Sequence, residues 1–244
     1  MAIERFDPSV DKVSFIAEEH LARYNFAKKF AGGKVVLDIA CGTGYGSDIL
    51  ASSGAKQVIG LDNSAVVIKE AGRKYQSSNL KFFTGEASKI NWSDNYFDLV
   101  VSFETIEHLA NYRQFLEEIY RVLKKDGLLI ISTPNRHLVS CYLIYRHPFN
   151  KFHKIEFSKN QFINIIKKKF AILDIYGQRT VSKLLTPYLI RKPLEKIFKI
   201  IDLLLEQKIY GQADGPSIRK IGFLKEATYF VIIAKKITNK SIFR

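Results

Sequence analysis

Residues 34–46 constrain this chain more than any other stretch. Lys34-Val-Val-Leu-Asp-Ile-Ala40 is a short apolar run that stops at Cys41-Gly-Thr-Gly44, and Tyr45-Gly-Ser-Asp opens a helix directly after it. A run of this kind reads as a strand buried on both faces, which calls for a parallel sheet covered by helices. The glycines let the backbone turn sharply and come close to a ligand. Four more runs share the pattern: 57–62, 80–84, 96–102 and 127–132. Between the last two, Phe115, Leu116, Ile119, Tyr120 and Leu123 recur at helical spacing, and Gly127 stands where a left-handed cap would end that helix. Strands alternating with helices mean βαβ units.

After Pro134 the rhythm changes. Residues 134–158 read as a loop region holding three of the five histidines. A helix near 159–169 leads to a strand over 170–176, residues 183–209 read as helical with a break at Pro193, and a last strand covers 227–234 before a basic tail. The expectation is one domain: N-terminal helices over 1–33, a core over 34–177, a helical insertion over 178–226 and the last strand over 227–236. A composition 47% hydrophobic with 14 Gly and 6 Pro excludes extensive disorder and collagen-like architecture. Two cysteines, Cys41 and Cys141, support no disulfide framework and fit a reducing compartment. The acids and proline in the first eight residues are unlike a signal peptide, and no apolar run is long enough to span a membrane, so a soluble cytoplasmic protein is expected.

The glycine loop narrows the ligand. After Gly42 and Gly44 the third glycine falls at 46, one residue too early for the dinucleotide fingerprint. Asp38, four residues before Gly42, suits a ligand with a cationic ammonium group and no pyrophosphate. Asp62 lies 18 residues past Gly44 at the end of the second strand, where a carboxylate can accept hydrogen bonds from both hydroxyls of a ribose.

These residues resemble the class I S-adenosylmethionine-dependent methyltransferases, on Val35–Gly44, Val58–Asn63, Gly85–Ala87, Asn95–Glu104 and Arg121–Gly127. The resemblance implies a Rossmann-like α/β fold: seven strands, mostly parallel with an antiparallel last strand, and helices on both faces. It implies S-adenosylmethionine as cofactor. Asp38 and the Gly42/Gly44 loop would face its methionine part, Asp62 its ribose, and Glu86 with Ala87 the adenine edge; Ala40, Asn63 and Phe103 are further cofactor-binding candidates. Glu86 stands where the family usually has Asp. His20–Tyr24 looks like the helix that covers the cofactor in related members, and Arg23 is then a candidate for its carboxylate, since guanidinium pairs with carboxylate bidentately.

Glu104-Thr-Ile-Glu-His108 follows the fourth strand, at the edge where open α/β sheets hold ligands. A helix starting there would put 104, 107 and 108 on one face. Methyl transfer to a hydroxyl needs the acceptor positioned and its proton removed, by a base or by metal coordination. His108, Glu104 and His153 are the candidate catalytic residues. The pattern resembles two metal-assisted branches, the ubiquinone-pathway O-methyltransferases and the small-RNA 3′-terminal 2′-O-methyltransferases. A metal site of Glu104, Glu107, His108 and His153 holding Mg2+ or Zn2+ is the alternative to a base.

The charge is uneven. Residues 1–130 carry 16 Lys+Arg against 17 Asp+Glu, and residues 131–244 carry 22 against 7. The basic half fits an anionic acceptor, an anionic membrane surface at the inner face, or a pathway enzyme; a Lys-rich genome would produce the same bias. Residues 134–158 resemble the acceptor region of methyltransferases of surface-polysaccharide pathways. That resemblance implies O-methylation of a sugar hydroxyl in a nucleotide-linked, lipid-linked or polymeric glycan. The rivals are an RNA ribose hydroxyl, a quinone-type phenol, and a cofactor-binding module without turnover.

Overall fold

The computed structural model describes residues 15–139, 148, 150–182, 217–221 and 225–237. Cys141, the expected helices over 183–209 and the basic tail lie outside them. The chain enters through helix α1 (Phe15–Ala27) and then alternates: β1 (Val35–Ile39), α2 (Tyr45–Ser52), β2 (Gln57–Asp62), α3 (Ala65–Lys74), β3 (Leu80–Thr84), β4 (Phe97–Ser102), α4 (Tyr112–Val122) and β5 (Leu123–Pro134). A short α5 (Arg136–Val139) and α6 (Lys159–Lys167) precede β6 (Phe170–Ser182), β7 (Ile218–Lys220) and β8 (Lys225–Lys236). All eight strands form one sheet in the order β3-β2-β1-β4-β5-β8-β6-β7. The first five run parallel, and β8 lies antiparallel between β5 and β6.

This is the expected α/β sheet with two differences. β7, which pairs antiparallel with β6, makes eight strands where seven were expected, and it lies inside the stretch read as a helical insertion. β6 also runs on to Ser182, past the expected end at 176, because it stays paired with β8 through Ser182↔Lys225. Gly127 does not cap α4. The helix ends at Val122, Leu123 already begins β5, and the left-handed residue is Asp126, with φ 64°.

Helical periodicity explains α4. Asn111 caps it, its side chain accepting from the Gln114 amide, and Phe115, Leu116, Ile119 and Val122 form its buried face. They belong to the apolar layer on one side of the sheet, with Phe97, Phe162, Phe170 and Phe230. The other layer packs Tyr24, Phe26, Tyr45 and Leu50 against Val36, Val58 and Val101. The central strands are therefore covered on both faces, as their unbroken apolar runs require. Because β8 is antiparallel, Tyr229 pairs with Pro134 and arrives at the same edge as the carboxyl ends of β1 to β5. Phe115→Ala should lower the unfolding free energy by about 3–5 kcal/mol through loss of burial and the cavity left behind. Urea denaturation, with an unchanged slope, is the check.

Candidate active site

The sheet's carboxyl edge carries nearly every residue singled out in the sequence. At the end of β1, Ala40 (φ 57°), Gly42 (φ 55°) and Gly44 (φ 84°) are all left-handed, so the chain folds back at once into α2. At Gly44 an added Cβ would stand 2.8 Å from Ala71 Cβ and from the Phe82 ring, so both conformation and space demand glycine. Asp62, at the end of β2, holds the loop: one carboxylate oxygen accepts from the Gly42 amide (3.1 Å) and the other from the Ser64 amide (3.0 Å). The Gly85 amide donates to the Asp62 carbonyl (2.9 Å), which sets Glu86 and Ala87 beside this acid and Asn63. The residues expected at the methionine, ribose and adenine parts thus follow one another along β1, β2 and β3.

Asp38 is fully buried. It accepts hydrogen bonds from Ser47 Oγ (2.6 Å) and Tyr24 Oη (3.1 Å). Burial pushes its carboxyl up to about 7; the two hydroxyls pull the other way and do not offset it. Tyr24 also stands edge-on to Phe103 (5.1 Å) and Tyr45 (5.4 Å), so α1 is pinned over the loop. Arg23, next along α1, is buried as well. It donates to Gln178 Oε1 (2.6 Å) and lies over the Tyr229 ring (4.9 Å), while its Nε has no hydrogen-bond partner. Gln178, Tyr229, and the ion pair between Glu19 and Arg179 complete a polar group at the β6–β8 end of the edge. Sequence reasoning missed this group, since Glu19 lies 159 residues or more from its partners.

Glu104, Glu107, His108 and His153 separate into two places. No helix begins at 104; a 3-10 turn spans Ile106–His108, and α4 starts only at Tyr112. Glu104 is left-handed (φ 50°) and bonds both ways with Ser132: its amide donates to Ser132 Oγ (3.2 Å), and that hydroxyl donates to its carboxylate (2.7 Å). Its carboxylate is not among the donor atoms that lie within 4.8 Å of one another. The other three do converge: one donor atom each from Glu107, His108 and His153 lies within 4.8 Å of the others. Glu107 is fully buried; Oε2 accepts from Thr133 Oγ1 (3.1 Å) and Oε1 has no partner. Burial first, and then the charge of Glu104, push its carboxyl well above the usual range. His108 Nδ1 is 3.1 Å from the Phe152 carbonyl, so Nδ1 carries the proton and Nε2 the lone pair. The backbone fixes the loop that brings His153 here, because the Lys154 and Ile155 amides both donate to the Glu107 carbonyl. Glu156, part of the His153–Ser158 pattern but given no role from sequence, lies 2.7 Å from His153 Nδ1.

A putative methyltransferase of Bacillus halodurans has the same fold, with a TM-score of 0.61 and 19% identity over 88% of this chain and 99% of that one. A family model described as a methyltransferase domain matches residues 37–131, from β1 to β5. A probable S-adenosylmethionine-dependent methyltransferase of Mycolicibacterium smegmatis is 30% identical over 175 residues, 71% of this chain and 66% of the relative. Residues 37–131 are thus a methyltransferase domain, and the chain has the fold of the class I S-adenosylmethionine-dependent methyltransferases. A ubiquinone biosynthesis O-methyltransferase of Glaesserella parasuis is 31% identical over 153 residues, 59% of this chain and 64% of that one. The chain spans about two thirds or less of the length of these two curated relatives. The family segment contains the glycine loop, Asp62 and Glu104–His108, and it ends before His153.

Asp38 gives the fold a pH dependence of known sign. Its folded value, about 7, exceeds its ordinary value of 3.8, so between those limits the folded chain holds a proton that the unfolded chain lacks. Stability from this group is complete below the lower limit and is lost as pH rises through about 7. Asp38→Asn should flatten that slope, which is at most about 1.4 kcal/mol per pH unit. Urea titrations at a series of pH values between 4.5 and 8, wild type against variant, measure it.

Proposed function

We propose that this chain transfers the methyl group of S-adenosylmethionine to a hydroxyl oxygen, specifically a sugar hydroxyl of a nucleotide-linked, lipid-linked or polymeric glycan. Bound S-adenosylmethionine supplies a methyl group activated on a sulfonium. The residues present fit it: a buried carboxylate at Asp38 for an ammonium, a left-handed cradle at Ala40, Gly42 and Gly44, and a second acid at Asp62 for a ribose. Arg23, with its unpartnered Nε, is the candidate for the cofactor's carboxylate. Glu86 and Ala87 continue the same edge toward the adenine.

The convergence of Glu107, His108 and His153 beside the cradle carries the oxygen-acceptor reading. In-line displacement at a methyl group is largely a matter of positioning, but a hydroxyl must also give up its proton. His108 is set up for this: the Phe152 carbonyl holds Nδ1–H, leaving Nε2 to accept. An aliphatic hydroxyl is a much weaker acid than a phenol, so it has the greater need of such a cluster, and the basic second half suits an anionic glycan. A second reading, a divalent cation held by Glu107, His108 and His153, is favoured by the orphaned Glu107 oxygen, which a cation would satisfy. It would lower the acceptor's proton affinity. The Glaesserella parasuis relative supports a quinone-type phenol as the rival acceptor.

His108→Ala should lower kcat by roughly 10²–10⁴-fold and leave S-adenosylhomocysteine affinity within about twofold. Unaltered turnover would remove His108 from the chemistry. Chelator separates the two activation routes: retained activity selects the base, and lost activity restored by Mg2+ or Zn2+ selects the metal. Labelled cofactor incubated with glycan extracts, short RNA or quinone precursors, followed by product mass and linkage, tests the acceptor. A label that enters only phenols would overturn the sugar assignment.

A further inference from the structure

We propose that Glu156 is a positioning residue that acts through His153 and determines which ring nitrogen His153 presents to the Glu107–His108 pair. The proposal rests on the reading that this cluster activates the acceptor. Both side chains are almost completely buried, at 0% exposure for Glu156 and 8% for His153, and Oε1 lies 2.7 Å from Nδ1. The other carboxylate oxygen, Oε2, is buried without a hydrogen-bond partner. A buried acid held by a single partner is costly, and among the described residues that partner is the histidine.

A carboxylate oxygen 2.7 Å from Nδ1 is placed to accept a hydrogen carried there, and in the neutral ring Nε2 then keeps the lone pair. Asn150 agrees with this assignment. Its Oδ1 accepts from the Phe152 amide (3.0 Å), which turns its amide nitrogen toward His153 Nε2 (3.3 Å) as a donor. That contact is long enough to yield to an acceptor proton or a cation. The His153 ring in turn stands edge-on to His108 at 4.9 Å. Glu156 is not needed to hold the loop in place. The Lys154 and Ile155 amides bond to the Glu107 carbonyl, and the Arg136 amide bonds to the Phe157 carbonyl, all through backbone. A carboxylate behind a functional imidazole fixes its tautomer and orientation, and losing one typically costs 10–100-fold in activity or metal affinity.

Long-range 1H–15N NMR on the full chain labelled at histidine nitrogen reads the tautomer without any activity assay. Wild-type His153, in its neutral form, should show a hydrogen on Nδ1; a hydrogen on Nε2 overturns the proposal outright. In an Asn150→Ala background, which removes the amide donor at Nε2, Glu156→Ala should shift the hydrogen to Nε2 and lower kcat by about 10–100-fold, with S-adenosylhomocysteine affinity held within twofold. Glu156→Gln keeps an acceptor oxygen of the same shape, so it should fold and restore both the Nδ1–H tautomer and most of kcat. Equal losses in the two variants with an unchanged tautomer would reduce Glu156 to a packing role. A tautomer that follows Glu156 while His153→Ala stays fully active would confirm the pair and overturn the cluster's part in the reaction.

Discussion

A carboxylate with no exposure to water stands at the end of a central strand, and the arrangement of the site follows from it. Burying Asp38 is unfavourable unless its oxygens are met, and they are met by Ser47 from α2 and Tyr24 from α1. Those two bonds tie the helix after the glycine loop and the N-terminal helix to one atom group at the end of β1. Tyr24 then sets its neighbours. Its ring lies against Phe103, which follows β4, and its position on α1 carries Arg23 to Gln178 on β6 and Tyr229 on β8. Three separate stretches are thus referred to a single buried acid. The charge that remains costly in the folded chain is the one that a cationic ligand would relieve.

The edge divides into two chemical halves because the backbone turns the wrong way for an ordinary helix at Glu104. A left-handed residue other than glycine is strained, and such residues persist where surrounding structure holds them. Ala40 and Glu104 both stand just past neighbouring parallel strands, one residue beyond β1 and two beyond β4. At Ala40 the turn opens the cradle. At Glu104 the reciprocal bonds to Ser132 hold the turn and engage this carboxylate. The 3-10 turn that follows then points Glu107 inward to Thr133 and His108 toward the loop carrying His153.

The cradle half was legible in the sequence because it is built from consecutive residues at the ends of periodic strands. Val35–Gly44 fixes strand, turn and helix by local chemistry, and Asp62 ends its own apolar run, so spacing alone places both acids at one edge. The acceptor half was legible only in its residue types. Glu107, His108 and His153 were named together with Glu104 on a resemblance of pattern, and residue types alone do not show the left-handed backbone at Glu104 or its bonds to Ser132. Glu19, Gln178, Arg179 and Tyr229 left no trace in the pattern, since their meeting depends on β8 being inserted antiparallel between β5 and β6. Periodicity records which face a residue buries, not which strand will lie beside it. The two extra turns of strand, β7 and the end of β6, were obscured for the same reason: pairing with β8 and with each other makes them strands, and their own sequences do not alternate strongly.

The antiparallel strand also shapes the edge beyond β5. Parallel strands alone would deliver only their own carboxyl ends to this edge. β8 runs the other way and delivers its amino end, so Tyr229 stands level with Pro134 at the end of β5, and β6 can continue past the edge beside it. The extension raises Gln178 and Arg179 against α1, closing the site on the side the glycine loop does not reach. The family-wide segment over 37–131 supplies the cradle and the turn bearing Glu107 and His108, and everything that completes the acceptor side comes after it. Selection on the acceptor can therefore act on the 150–158 loop and the β6–β8 pair while the cradle is left intact, because backbone bonds, and not the cradle's side chains, hold that loop to the turn.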